Sequence, residues 1–175
     1  MAAALREIGE IMFRRLLKHL TSPGWWARRA FRTADLTAIA NAVKASEKIH
    51  RGEIRIAIEG PLPLRSLLAN QSCRDRAAML FHSLGVAATR EANGILVYVQ
   101  LVDRRVEILA DRGIADVVAQ AEWDAVCRRL ETAFVARYYG VGMVDAITRI
   151  TALLARHFPA TGENPNELHD APTLL

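Results

Sequence analysis

Cysteine is nearly absent from this 175-residue chain, and no hydrophobic stretch runs far without a charge. Cys73 and Cys127 lack the paired spacing of a zinc knuckle or a redox motif, so both read as reduced thiols inside helical patterns. Arginine or lysine interrupts every apolar run in the first and last thirds, short of the ~18 to 20 uncharged residues that a spanning helix requires. That excludes an integral membrane helix. No small-residue cleavage site follows a continuous apolar region, so a secretory signal is not expected and a cytoplasmic location is the default. The five histidines, His19, His50, His82, His157 and His169, supply no pair at i,i+4, and nothing resembles a zinc site. Ser72 and Cys73 have neither a neighbouring base nor the glycines of a nucleophile elbow. Internal repeats and low-complexity segments are also missing.

What is present is a globular balance, 51% hydrophobic and 24% charged, sufficient to bury one core. The net charge of +4 is unevenly spread. Residues 1–32 hold seven arginines and lysines against two glutamates, a net of +5, which leaves the remainder at −1. The basic excess therefore belongs to an N-terminal arm and not to the domain.

Hydrophobic spacing predicts an amphipathic helix over 5–20, with Leu5, Ile8, Ile11, Met12, Leu16 and Leu20 on one stripe and Arg6, Glu10, Arg14 and Lys18 opposite. Thr21-Ser22-Pro23-Gly24 stops it, and Trp25-Trp26 then stand just before Arg28-Arg29. Thr33 is expected to cap a helix over 34–51 with Leu36, Ile39, Ala40, Val43 and Ile49 inward, ended by Gly52. Ile54, Ile56 and Ile58 alternate with Arg55, Ala57 and Glu59, the period of a strand with one buried face. One long helix is expected over 64–84, bent near 70–72. The β-branched run 95–102 reads as a strand buried on both faces, and Asp103-Arg104 turns it into a hairpin with Val106, Ile108 and Ala110. Two helices follow over 122–138 and 141–158. The expected organisation is a basic helical arm at 1–32, an α/β domain at 33–158 and an irregular tail at 159–175 docked by Leu168 and Leu174.

Particular residues carry a resemblance. They are Ser46-Glu47-Lys48 with Gly52-Glu53-Ile54-Arg55-Ile56, the helix Arg76-Ala77-Ala78-Met79-Leu80-Phe81, the loop 89–94 before Ile95-Leu96-Val97-Tyr98, and the hairpin Asp103-Arg104-Arg105-Val106-Glu107-Ile108. In this order they resemble the TPM domain, a family named after a thylakoid lumen protein, a photosystem II repair protein and a modulator of a nematode acetylcholine receptor. The resemblance implies a three-layer αβα sandwich with a mixed sheet, to which this chain adds the N-terminal amphipathic helix. The parallel crossover would join the strands at Ile54 and Leu96, and the hairpin would add an antiparallel strand. It also implies either a module acting through a protein partner or membrane-associated complex, or a weak calcium- or magnesium-dependent acid phosphatase acting on phosphomonoesters. Where the family has Gly-x-Gly-Leu-Glu and a later Leu-Pro-Asp, this chain reads Asp111-Arg112-Gly113-Ile114-Ala115-Asp116, then Val118-Ala119-Gln120.

Two sets of candidate residues follow. Glu91, Asn93, Asp111 and Asp116 are oxygen donors suited to calcium or magnesium, and Asp111, Asp116 and Arg112 are the catalytic candidates beside a phosphate. Asn93-Gly94 is expected to place Gly94 at positive φ, and Asp103 to serve as a turn residue. On the arm, Arg14, Arg15, Lys18, Trp25, Trp26, Arg28 and Arg29 suit contact with a partner or with an anionic membrane at its inner face. Charges of both signs on the polar face favour packing of the arm on the domain or on a second copy. Nucleic acid is not expected, because the basic residues are confined to the arm and no recognised binding motif occurs.

Overall fold

The structure, a computed structural model, describes residues 2–161 and 166–175, with side chains from Gly9 onward except Ile11. Four strands form one sheet in the order β3-β2-β1-β4: β1 Glu53–Glu59, β2 Gly94–Gln100, β3 Arg105–Ala110 and β4 Thr173–Leu174. β1 and β2 pair in parallel, Glu53 against Gly94 through Glu59 against Gln100, and β2 pairs antiparallel with β3. Ile54, Ile56 and Ile58 of β1 join Ile95, Val97 and Val99 of β2 in the main core, under α3 (Thr33–Ser46), α7 (Gln120–Val135) and α8 (Tyr139–His157). On the other face Ala57, Leu96 and Tyr98 pack with Ala77, Leu80 and Phe81 of α5 (Cys73–Ser83). The chain is a three-layer α/β sandwich with a mixed sheet.

Several expectations change in detail. β1 is buried on both faces, because packed layers cover each side of it; the tail supplies β4 along its edge, and Leu174 and Leu168 pack against the two cores. The tail is thus a built part of the sheet, also held by Arg55, whose guanidinium donates to Thr173 Oγ1 at 2.6 Å and to the carbonyls of His169 and Ala171. The helix expected over 64–84 is two, α4 (Leu64–Leu68) and α5. Asn70 turns left-handed at φ 47°, and Ser72 starts afresh by accepting from the Asp75 N–H at 3.0 Å. α3 starts one residue early, because Asp35 Oδ2 accepts from the Arg32 N–H at 2.9 Å, which places Thr33 inside the helix. It ends at Ser46 and leaves Ile49 exposed. Short helices not expected are α2 (Trp26–Ala30) and α6 (Arg112–Ala115).

The arm forms α1 (Ala2–Thr21), and polar side chains share its inward side. Leu5, Ile8 and Ile11 have side chains outside the described residues. Among the described ones, Arg15 and His19 turn inward with Leu16 half-buried, while Met12 and Leu20 are exposed. Both cysteines are half-buried, and burial first, then nearby carboxylates such as Glu107, pushes each thiol up to about 12. They are inert thiolate sources near neutral pH.

Candidate functional site

The parallel strands give the molecule two chemically different ends. At the amino end of β1 and β2 lies the loop that was expected to hold oxygen ligands. Gly94 does not have positive φ; Ala92 does, at 49°. Gly94 is required for space, since a Cβ there would overlap the Val86 carbonyl oxygen. Gly113 has the same role against the loop: its N–H donates to Ala92 O at 3.0 Å, and a Cβ would lie 2.8 Å from that oxygen. These close approaches bring 89–93 beside α6.

The candidate ligands gathered there are largely engaged by the protein. Glu91 Oε2 lies 2.6 Å from Arg51 Nη1, and Asp111 caps α6 by accepting from the Arg112 N–H at 2.7 Å. Arg112 and Asp116 are exposed, at the start of α6 and just beyond its end. Asn93 is buried; its N–H donates to Thr89 Oγ1 at 3.1 Å and its amide NH2 to the Arg51 carbonyl, while Oδ1 is buried without a protein partner among the described residues. No group of three or more His, Cys, Asp or Glu side chains is arranged to hold a metal ion among the described residues. As they stand, Glu91 and Asp111 each commit a carboxylate oxygen to a protein donor.

Sequence reasoning missed the more unusual acids of this end. Glu47 and Glu53 are both buried at the exit of α3 and the start of β1. Burial, then the Glu53 and Asp170 carboxylates, pushes Glu47 up to about 8. Burial also raises Glu53, although its Oε2 accepts from the Glu167 and Leu168 N–H groups, both at 3.2 Å, and so secures the tail. Burial pushes the neighbouring His50 down to about 4. Their signal was an acid-and-histidine run entering a strand that had been read as half-exposed.

The carboxyl end is organised differently. Under the sheet, Arg76 grips Glu59 through two hydrogen bonds of 3.0 and 2.6 Å, and Tyr98 donates its hydroxyl to Glu59 Oε2 at 2.6 Å. Gln100 accepts from the N–H groups of Val102 and Asp103 and donates to Gly60 O, which fixes the hairpin turn. Asp103 does more than turn the chain. Arg15 reaches it at 2.9 Å and also donates to Gln71 O at 2.9 Å, while His19 Nε2 lies 3.1 Å from its other oxygen. His19 is 2% exposed, and its Nδ1 accepts from the Leu62 N–H at 3.0 Å, so in the neutral ring Nε2 carries the proton facing Asp103. Burial pushes the Asp103 carboxyl up, but the bonds from His19 and Arg15 outweigh it and hold it below its ordinary value.

This clamp joins α1 to the domain by polar contacts and leaves apolar side chains outside. Phe13, Leu17 and Leu20, at helical spacing, are 64%, 51% and 61% exposed, and Trp25 is 55% exposed with Arg29 stacked 5.5 Å from its ring centre. Arg14, Lys18, Arg28 and Arg29 are exposed alongside, whereas Arg15 faces inward and Trp26 is half-buried.

The TPM domain model matches residues 28–153. The chain belongs to the TPM domain family. α1 precedes the matched segment. Among solved structures it resembles the BA42 protein of the psychrophilic bacterium Bizionia argentinensis, solved by NMR, with a TM-score of 0.73 and 30% identity over 83% of this chain and 95% of that one. No protein among the curated relatives matches. Among the described residues no helix of this TPM protein is long and apolar enough to cross a membrane.

Proposed function

We propose that this TPM protein docks peripherally on an anionic membrane surface at the inner membrane face, as part of a membrane-associated complex, and works by contact without turnover. The observation that carries this reading is the orientation of α1. A helix clamped by Arg15 and His19 leaves Phe13, Leu17 and Leu20 exposed, with Arg14 and Lys18 exposed on the same helix and Trp25, Arg28 and Arg29 exposed in the segment that follows it. Apolar side chains entering the headgroup boundary gain burial, and each basic residue near anionic lipid adds about 1 kcal/mol that salt weakens.

Co-sedimentation with phosphatidylglycerol vesicles at low and high salt, set beside phosphatidylcholine vesicles, tests it. Salt-sensitive binding to the anionic vesicles, lost when Phe13, Leu17 and Leu20 are all changed to Ser, is the expected result. Failure to bind at low salt would overturn the membrane reading and redirect the same face to a protein partner.

One narrower reading rests on the unpartnered Asn93 Oδ1, which would suit a calcium or magnesium ion if Glu91 left Arg51 and Asp111 left its cap. Calorimetric titration with either ion tests it. A phosphatase built on Asp111, Arg112 and Asp116 has less support, because Asp111 is occupied as a helix cap. Loss of any phosphomonoester turnover in Asp111→Ala would be its signature.

A further inference from the structure

Beside the clamp, at the carboxyl end of the parallel strands, lies an open cavity of about 560 Å³. Four arginines line it: Arg29 from α2, Arg32 just after α2, Arg104 from the hairpin turn and Arg137 from the α7–α8 connection. None of the four is ion-paired with a carboxylate among the described residues. The acid among the lining residues, Asp35, is already engaged, since Oδ2 accepts from the Arg32 N–H and Oδ1 fills the space that a Cβ at Gly140 would need. The lining therefore carries a net charge of about +3 that the fold does not neutralise.

Backbone conformation gives an independent indication. Arg104 and Arg137 have φ of 54° and 64°, in the left-handed region where glycine or asparagine sits at ease and a long side chain is disfavoured. Two strained positions facing one cavity both hold arginine, and neither arginine is satisfied by an internal carboxylate. Retaining these side chains against the local backbone preference points to a bond made outside the fold.

The surroundings define the chemistry of that bond. A guanidinium offers a planar fork of donors matched to phosphate oxygens. α8, a 19-residue helix, starts at the cavity with Tyr139, and its first N–H groups add positive potential in the same place. Part of the wall is aromatic: Phe134 and Tyr139 line the cavity with ring centres 5.2 Å apart, and buried Phe31 backs them at 5.9 and 5.6 Å. At the mouth Val135, Tyr138 and Val141 stay exposed, a surface for an apolar or aromatic ligand body. The volume suits a small molecule, and the carboxyl end of parallel strands is where open α/β sheets bind ligands.

We propose that this cavity is a binding site for a phosphorylated ligand, its phosphate held by Arg29, Arg32, Arg104 and Arg137 and its body resting against Tyr138. The phosphate belongs either to a free small molecule or to a phospholipid headgroup. The site shares Arg29 with the segment proposed to meet the membrane but does not rest on membrane docking by α1.

The test uses the full chain and the double variant Arg104→Gly/Arg137→Gly, which relieves both left-handed positions and is expected to fold at least as stably. Pyrophosphate and ATP are titrated by calorimetry at millimolar concentration, and vesicles containing phosphatidic acid are compared with neutral ones. Saturable binding of pyrophosphate or ATP, weakened at least about tenfold in the double variant with the melting temperature unchanged or raised, is expected for a free phosphorylated ligand. Tyr138→Ser should then weaken ATP and spare pyrophosphate. Vesicle binding that falls in the double variant, without binding of the soluble probes, assigns the phosphate to a lipid headgroup. No binding of any of these probes, or affinities that the double variant leaves unchanged, would overturn the proposal.

Discussion

The two ends of the parallel sheet are both rich in charge, yet they use it in opposite ways. At the amino end Glu91 pairs with Arg51, Asp111 caps α6 and Glu53 holds the tail amides. At the carboxyl end Arg15 and Arg76 are engaged inward, but Arg29, Arg32, Arg104 and Arg137 line an open cavity. Glu91 and Asp111, two of the carboxylates conspicuous in the sequence, therefore serve the fold, and the arginines without a carboxylate partner lie at the other end. A polar residue informs function only after its internal partners have been counted.

The largest effect that sharpens this contrast is expected between two kinds of arginine. Arg76→Met removes the partner of buried Glu59 and should cost about 3 to 5 kcal/mol in urea denaturation. Arg104→Gly and Arg137→Gly should cost nothing, since glycine suits both φ values. Comparable losses in all three variants would break the distinction between engaged and unengaged guanidiniums.

At the amino end, Gly113→Ala places a methyl 2.8 Å from Ala92 O and should destabilise by about 1 to 3 kcal/mol, with no effect on pyrophosphate affinity. Thermal unfolding and calorimetry on the same sample read both quantities.

The buried acids of that end predict a pH dependence of smaller size. Glu47, pushed up to about 8, keeps in the native state a proton that the unfolded chain releases near 4.5, so stability falls as pH rises between those values. His50, pushed down from 6.5 to about 4, binds its proton in the unfolded chain first and makes stability rise with pH over that interval. The two oppose each other below 6.5, while Glu53, also raised by burial, acts in the same direction as Glu47, so stability falls from 6.5 to 8, by about 1.4 kcal/mol per pH unit for Glu47 alone. Glu47→Gln should flatten the fall in a series of denaturation curves; an unchanged slope would place the titration elsewhere.

The sheet itself was legible because its signals are local and strong. Isoleucine alternation in β1, the β-branched run of β2 and Asp103-Arg104 at the turn fit parallel and antiparallel partners without competition. The face of α1 was not legible. Arg15 and His19 turn inward to meet Asp103 and Leu62 N–H, partners 43 to 88 residues away, which apolar periodicity does not carry, and Met12 and Leu20 of the expected stripe are left exposed. The arginine cavity was equally hidden, because its four side chains come from three regions joined only by the fold, and a left-handed arginine leaves no mark in composition. The backbone of 91–92 meets Gly113 beside Asp111, but the engagement of Glu91 and Asp111 by Arg51 and the α6 cap depends on geometry that spacing does not carry.

The smallest stability effect is expected on the arm. Changing Phe13, Leu17 and Leu20 to Ser should move stability by no more than about 0.5 kcal/mol per site, because these side chains are already in solvent, while His19→Ala should lower it by about 1 to 3 kcal/mol through the orphaned Leu62 N–H and Asp103. The reverse order would mean that α1 packs through its apolar stripe after all.

Amide shift mapping of the 15N-labelled full chain during pyrophosphate titration tests most directly which end of the sheet meets ligand. Shifts concentrated in residues 29–35, 101–105 and 134–141 are expected, around the four arginines and the start of α8. Shifts confined to 89–93 and 111–116, around Asn93 and Asp111, would place the working site at the amino end and contradict the division of roles between the two ends.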